Sequence, residues 1–366
     1  MSAEFAKLIT RAGEEASVNC GSKYHDNSLQ GLRIGAIFIV MATSALGTLL
    51  PIVTGRVKGL GLPKIFYDTI KYFGSGVIVA TAFIHLLAEA FEKLTDQECL
   101  SGAWNDYNWA PALAEAAVFF IFFAELWASR LGNKYLERRG MNYDNHGHDN
   151  VGGIAGSHGA ETYTHTSDSH PQVHDAPATT MADQKSTETN DVESVHSMGS
   201  FGYNTMSMIT GVAILEFGVL FHSAILGLTL ATSSSDEFRV LLIVIVFHQM
   251  FEGLGLGARL AELPVRQTWI PYTGATCYFL ITPIFVAIGL GVRETYNSGS
   301  TAALITTGLL NSISAGILLY TGLVELLAHD FIFSSHMKKA SDMYVLYAGF
   351  CVLLGAGLMS LLGNWA

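Results

Sequence analysis

The chain has 366 residues, half of them hydrophobic and only 14% charged, with a positive mean hydropathy. That composition belongs to membrane proteins rather than to soluble or disordered chains. The net charge of −11 argues against nucleic acid as a partner and suits attraction of cations.

Residues 1–31 read as an extracytoplasmic tail, polar and mixed in charge. They lack the short apolar core of a cleavable signal, so the first apolar helix is expected to direct insertion itself. Eight stretches of about 20 or more mainly apolar residues follow. They lie near 32–53, 70–91, 109–131, 206–231, 238–260, 269–292, 301–328 and 343–364. The expected organisation is therefore helices one to three over 32–131, a loop over 132–205, helices four and five over 206–260, and helices six to eight over 261–366. The fourth and fifth, joined by a short Ser/Asp/Glu turn, are expected to form an antiparallel hairpin.

Orientation follows from lysine and arginine near the helix ends. With the N-terminus outside, Arg56, Lys58, Lys64, Lys71, Arg130, Lys134, Arg138, Arg139, Lys185, Arg259, Arg266, Lys338 and Lys339 lie inside, 13 of the chain's 20 basic residues. Both termini are thus predicted extracytoplasmic. Cys20 and Cys99 fall in outer segments, where they form a disulfide or remain two free thiols. Cys277 and Cys351, in apolar spans, read as packing residues.

From about Gly140 to Asn204 the apolar pattern stops. Such a stretch cannot bury enough surface to order itself, so it is predicted to be disordered. It holds seven of the 13 histidines. His146 and His148, flanked by Asp144 and Asp149, are its best local metal ligands. The loop reads as a metal sensor or buffer, or as a flexible linker rich in histidine.

Ionisable groups inside spans mark function by default, because each costs roughly 2.5–3.5 kcal/mol at the helix centre. His248 and Glu252 share one face of the fifth helix, and His222 lies at nearly the same depth of the fourth. Two imidazoles and a carboxylate suit a divalent transition metal. Ser223 and Gln249 are further candidates, as oxygen ligands or as supports for the rings. Two more i, i+4 pairs flank this centre: His85 and Glu89 towards the outer mouth, Glu325 and His329 towards the inner. If helices one to three and six to eight are inverted repeats, these pairs are symmetry mates and read as relay ligands on the way in and out. Gly253, Gly255 and Gly257 are expected to loosen the fifth helix and permit close approach. Thr282-Pro283 is expected to kink the sixth.

The run His222-Ser223-Ala224-Ile225-Leu226-Gly227 and the run His248-Gln249-Met250-Phe251-Glu252-Gly253 resemble the paired signatures of the ZIP family of divalent-metal transporters. The stretches from Tyr72 to His85 and from Ser314 to Glu325 resemble its fungal zinc-regulated branch. The resemblance implies an all-α polytopic protein that moves Zn(II) into the cytoplasm across the plasma membrane by alternating access. The zinc is its substrate, and no cofactor is implied. It further implies that His222, His248 and Glu252 hold the metal and that His85 lines the path. Some members carry a carboxylate at the place of Leu226 and an aspartate at that of Gln249, and the sixth span here contains no carboxylate. A single metal is therefore expected.

Two other classes compete: an intramembrane zinc hydrolase and a metal-sensing receptor. The chain has no His-Glu-x-x-His motif, and its metal-facing Glu252 is already assigned as a ligand, leaving no free general base. The sequence fixes no oligomeric state and leaves a homodimer open.

Overall fold

The computed structural model describes residue 20 and residues 29–56, 63–97, 99–104, 106–138, 190–265, 267, 269–293, 297 and 299–365. Among these, eight helices are long and apolar enough to cross a membrane. They are α1 (Gln30–Arg56), α2 (Lys64–Leu94), α3 (Trp109–Arg138), α4 (Asn190–Thr232), α5 (Ser235–Glu262), α6 (Trp269–Val292), α7 (Thr301–Lys339) and α8 (Asp342–Leu362). Each overlaps one predicted span. Helices close all backbone bonds within a segment, which is why apolar spans of this length take that form. The chain is a multi-pass membrane protein. His146 and His148 lie outside the described residues.

The serines of the connections start several helices. Ser234 caps α5, its hydroxyl accepting from the Glu237 N–H while the Glu237 carboxylate accepts from the Ser234 N–H. Ser300 and Ser341 cap α7 and α8. Arg33 of α1, fully buried, gathers the carbonyls at the end of α4: Leu230 at 3.3 Å, Ala231 at 3.1 Å and Ser233 at 2.7 Å. Its guanidinium lies 4.3 Å from the Phe238 ring centre. The charge thus meets the negative end of one helix and an aromatic face of the next, fastening the α4–α5 corner to α1.

Pairings between helices form two groups of four. In one, α1 packs on α5 and α6, and α4 on α6; in the other, α2 packs on α7 and α8, and α3 on α7. The groups meet chiefly where α2 lies on α5 and α4 on α7. Exchanging α1 with α6, α2 with α7, α3 with α8 and α4 with α5 turns this set of pairings into itself. That is the relation expected of inverted repeats.

The sequence carries the same relation. A shift of 240 positions aligns Gly76 with Gly316, Thr81 with Thr321, Leu86-Leu87-Ala88 with Leu326-Leu327-Ala328, and Phe91 with Phe331. A shift of 26 aligns Phe221-His222 with Phe247-His248, and Gly227-Leu228 with Gly253-Leu254. The mates share local structure too. Both α2 and α7 widen into π-helical runs beginning at the aligned threonines, Thr81–Leu87 and Thr321–Phe333. A Cβ on Gly76 would lie 2.0 Å from the Val352 carbonyl oxygen of α8, and one on Gly316 would lie 2.2 Å from the Ala114 carbonyl oxygen of α3.

These two contacts set how closely each outermost helix approaches its group. Gly76→Ala and Gly316→Ala are expected each to destabilise the protein by about 1–3 kcal/mol or more, since a backbone carbonyl cannot rotate away as a side chain does. Thermal unfolding of the purified protein reads this as a lowered Tm; an unchanged Tm would contradict backbone contact.

Candidate metal centre

The centre is built where the α4–α5 hairpin brings its two repeats together. His222 Nε2 and His248 Nε2 are 3.2 Å apart, so at most one of them carries a hydrogen on the line between them. The Glu252 carboxylate, one turn after His248, places Oε2 3.8 Å from His248 Nε2. The ligand atoms of all three lie within 4.8 Å of one another. Ligands about 2.0–2.1 Å from a tetrahedral zinc sit roughly 3.3 Å apart, a spacing the two imidazole nitrogens already match and the Glu252 carboxylate would reach by moving closer. All three side chains are buried. Glu252 Oε1 and His222 Nδ1 are buried without a hydrogen-bond partner among the described residues. Such atoms are costly in a dry interior and suit a cation.

Apolar clusters enclose the centre. Towards the α4–α5 turn are Val40, Leu226, Leu230, Phe238, Ile245 and Val286 from α1, α4, α5 and α6. Away from that turn are Ile52, Ile78, Leu215, Val219, Leu256 and Leu260. Leu226, aligned by the repeat with Glu252, belongs to the first of these clusters, so apolar packing takes the place of a second carboxylate.

The other polar groups of α5 are held from α6. The Tyr278 hydroxyl, fully buried, lies 2.6 Å from Gln249 Oε1, 2.8 Å from the Gln249 carbonyl and 3.3 Å from Glu252 Oε2. The Gln249 amide nitrogen donates to the Thr282 hydroxyl. Both ends of Gln249 are therefore engaged by α6, and its oxygen is turned to a phenol. Ser223, also buried, has no hydrogen-bond partner for its Oγ among the described residues. Helix α6 runs on through Pro283, and α5 remains α-helical through its glycines. The glycines act by approach instead of by loosening the helix: a Cβ on Gly255 would lie 2.9 Å from Gly74 Cα on α2.

His85 lies in the π-helical run of α2, its ring centre 4.8 Å from that of His248. Its Nε2 is 3.2 Å from the Met359 carbonyl, which accepts only, so Nε2 carries the hydrogen and Nδ1 the lone pair. Glu89, one turn further along α2, neighbours the buried Asn311 of α7. At the other end, Glu325 neighbours Glu125 of α3, whose carboxylate accepts from the Tyr320 hydroxyl at 2.5 Å. His329 is 62% exposed, whereas the next residue, Asp330, is buried. A π-helical run winds more residues into each turn, so positions counted at 3.6 per turn drift around the axis beyond Thr321. This also explains why α7 extends past its predicted end, since Asp330 is inside and ion-paired. Cys20 and Cys99 are disulfide-bonded, with Cα atoms 5.4 Å apart; Cys351 is buried and Cys277 exposed.

Sequence reasoning missed Tyr278 and Asp330. A lone tyrosine in an apolar helix reads as core, and its position four residues before Thr282 was the available sign that both face one neighbour. Tyr278→Phe keeps the ring and removes only the hydroxyl. It is expected to weaken zinc binding roughly 10-fold, as loss of a residue orienting a ligand does. A metal-buffered titration measures this; unchanged affinity would mean that the hydroxyl does not position Glu252.

The comparisons with known proteins agree with one another. Zinc-regulated transporter 1 of Saccharomyces cerevisiae is 42% identical, over 94% of this chain and 90% of the relative. Zinc-regulated transporter 1 of Schizosaccharomyces pombe is 37% identical, over 99% and 93%. Zinc-regulated transporter 2 of Saccharomyces cerevisiae is 34% identical, over 98% and 99%. The family model described as ZIP Zinc transporter matches residues 30–363, nearly the whole chain with all eight helices, and the chain belongs to that family.

Proposed function

We propose that the chain carries Zn(II) across the plasma membrane into the cytoplasm by alternating access, holding one ion between His222, His248 and Glu252. The observation that carries this reading is the convergence of those three groups, buried in the bilayer interior with their ligand atoms within 4.8 Å. Interhelical hydrogen bonds in membranes return only about 0.6 kcal/mol on average, too little to explain three such groups at one level. Three protein ligands leave one position of a tetrahedral zinc for exchange, unlike a closed structural site. Imidazole ligation favours zinc over manganese. The names of the relatives agree with this substrate.

The commitment of Gln249 to Tyr278 and Thr282, and the leucine at 226, support a single ion. His85 with Glu89 serves the outer approach, and Glu325 with Asp330 the inner. The excess of lysine and arginine on one side supports extracytoplasmic termini, as does the Cys20–Cys99 disulfide, since such bonds persist in oxidising compartments. In this orientation residues 132–205 are cytoplasmic, and their histidines sense metal without lying on its path.

Uptake of radiolabelled zinc into proteoliposomes holding the purified protein tests the reading. Wild type is expected to accumulate zinc; binding without uptake would sink the carrier. His248→Ala and Glu252→Ala are expected to lower uptake by more than about 100-fold, beyond what loss of a supporting residue costs, with expression intact. Deleting 145–195 is expected to leave uptake in place. Loss of transport on that deletion would contradict the separation of site from sensor.

A further inference from the structure

One ionic cluster on the inner half has no ionic counterpart under the exchange of repeats. Arg259 of α5 lies two turns beyond Glu252 on the same face and is 7% exposed. Its Nη2 donates to Asp330 Oδ2 of α7 at 2.6 Å and to Ser75 Oγ of α2 at 2.7 Å. Lys71 Nζ of α2 reaches Asp330 Oδ1 at 3.1 Å and Glu262 Oε1 of α5 at 2.9 Å. Glu262 Oε2 is 3.6 Å from Arg259 Nη1. Five side chains thus tie α5, which holds two of the metal ligands, to α2 and α7.

The repeat shifts carry Arg259 to Ser233, Lys71 to Asn311, Asp330 to Ala90 and Ser75 to Ala315; only Glu262 meets an acid, Asp236. The architecture is two-fold, but this ionic tie exists at one end alone. Its physical effect is directional. A divalent cation leaving the centre towards this end meets the positive charges of Arg259 and Lys71 in a weakly screening interior. The Asp330 carboxylate that would receive it is already occupied by both of them. Parting α5 from α2 and α7 removes the barrier and frees Asp330 and Glu262 together. Those oxygens suit a departing divalent metal.

We propose that Arg259, Lys71, Asp330 and Glu262 form the inner gate of the metal path, closed by their mutual ion pairs and opened when α5 separates from α2 and α7. The proposal rests on the reading of the chain as a carrier, but its test does not require transport. Leu256, fully buried and one turn below Glu252, lies between the centre and the gate. The full chain carrying Leu256→Cys, with Cys277→Ser and Cys351→Ser, is placed in proteoliposomes. It is labelled from the gate side with a membrane-impermeant methanethiosulfonate.

The neutral pair Arg259→Gln with Asp330→Asn keeps hydrogen bonding and leaves Lys71 paired with Glu262. It is expected to speed labelling about 10-fold or more, equivalent to about 1.4 kcal/mol of lost closure. Equal labelling in a variant that still binds zinc would overturn the gate. The exchanged pair Arg259→Asp with Asp330→Arg is expected to restore slow labelling; labelling as fast as the neutral pair would show that charge pairing is not what closes the path. Slow labelling of the Leu256→Cys chain with its native gate, together with wild type that takes up no zinc, would keep the gate and remove the carrier.

Discussion

Two imidazoles and a carboxylate at mid-membrane are stable only if the groups behind them are satisfied and those in front converge. Behind Glu252, the Tyr278 hydroxyl reaches one carboxylate oxygen and holds the Gln249 amide away from the centre. In front, the two imidazole nitrogens and the Glu252 carboxylate share one small volume. An uncompensated polar group in hydrocarbon costs several kcal/mol, so this division of labour decides the packing around it. α6 must lie against both α4 and α5, and apolar clusters must close the space above and below.

The repeats explain why such an arrangement arises near the middle of the membrane. An inverted duplication places equivalent residues at equivalent depths from opposite faces, and the α4–α5 hairpin brings His222 and His248 to the same level. What the duplication makes equal, later differences make directional. Leu226 stands opposite Glu252, Glu325 opposite His85, and serine, asparagine and alanine opposite Arg259, Lys71 and Asp330. A symmetric frame has two equivalent ways to tilt; asymmetric side chains give one of them a preference.

Much of this was legible in the sequence. Apolar runs located all eight helices, and the i, i+4 pairs and matching depths singled out His222, His248 and Glu252. Two things were hidden for physical reasons. The π-helical runs have no composition signal, so counting at 3.6 residues per turn passed over Asp330. Tyr278 and Arg259 act across helices, and a single-helix period says nothing about which neighbour receives a side chain. Of the two effects expected of glycine at 253, 255 and 257, close approach is the one the packing against α1 and α2 shows, within a helix that stays α-helical.

The central claim is a single ion held by two histidines and one carboxylate. X-ray absorption at the zinc edge, on purified protein loaded to saturation at the membrane site, tests it most directly. One zinc per chain is expected in that site, with about four nitrogen and oxygen neighbours near 2.0–2.1 Å and an outer-shell signature of two imidazoles. A second tightly held zinc with a metal–metal scattering path, or a shell without imidazole, would contradict it.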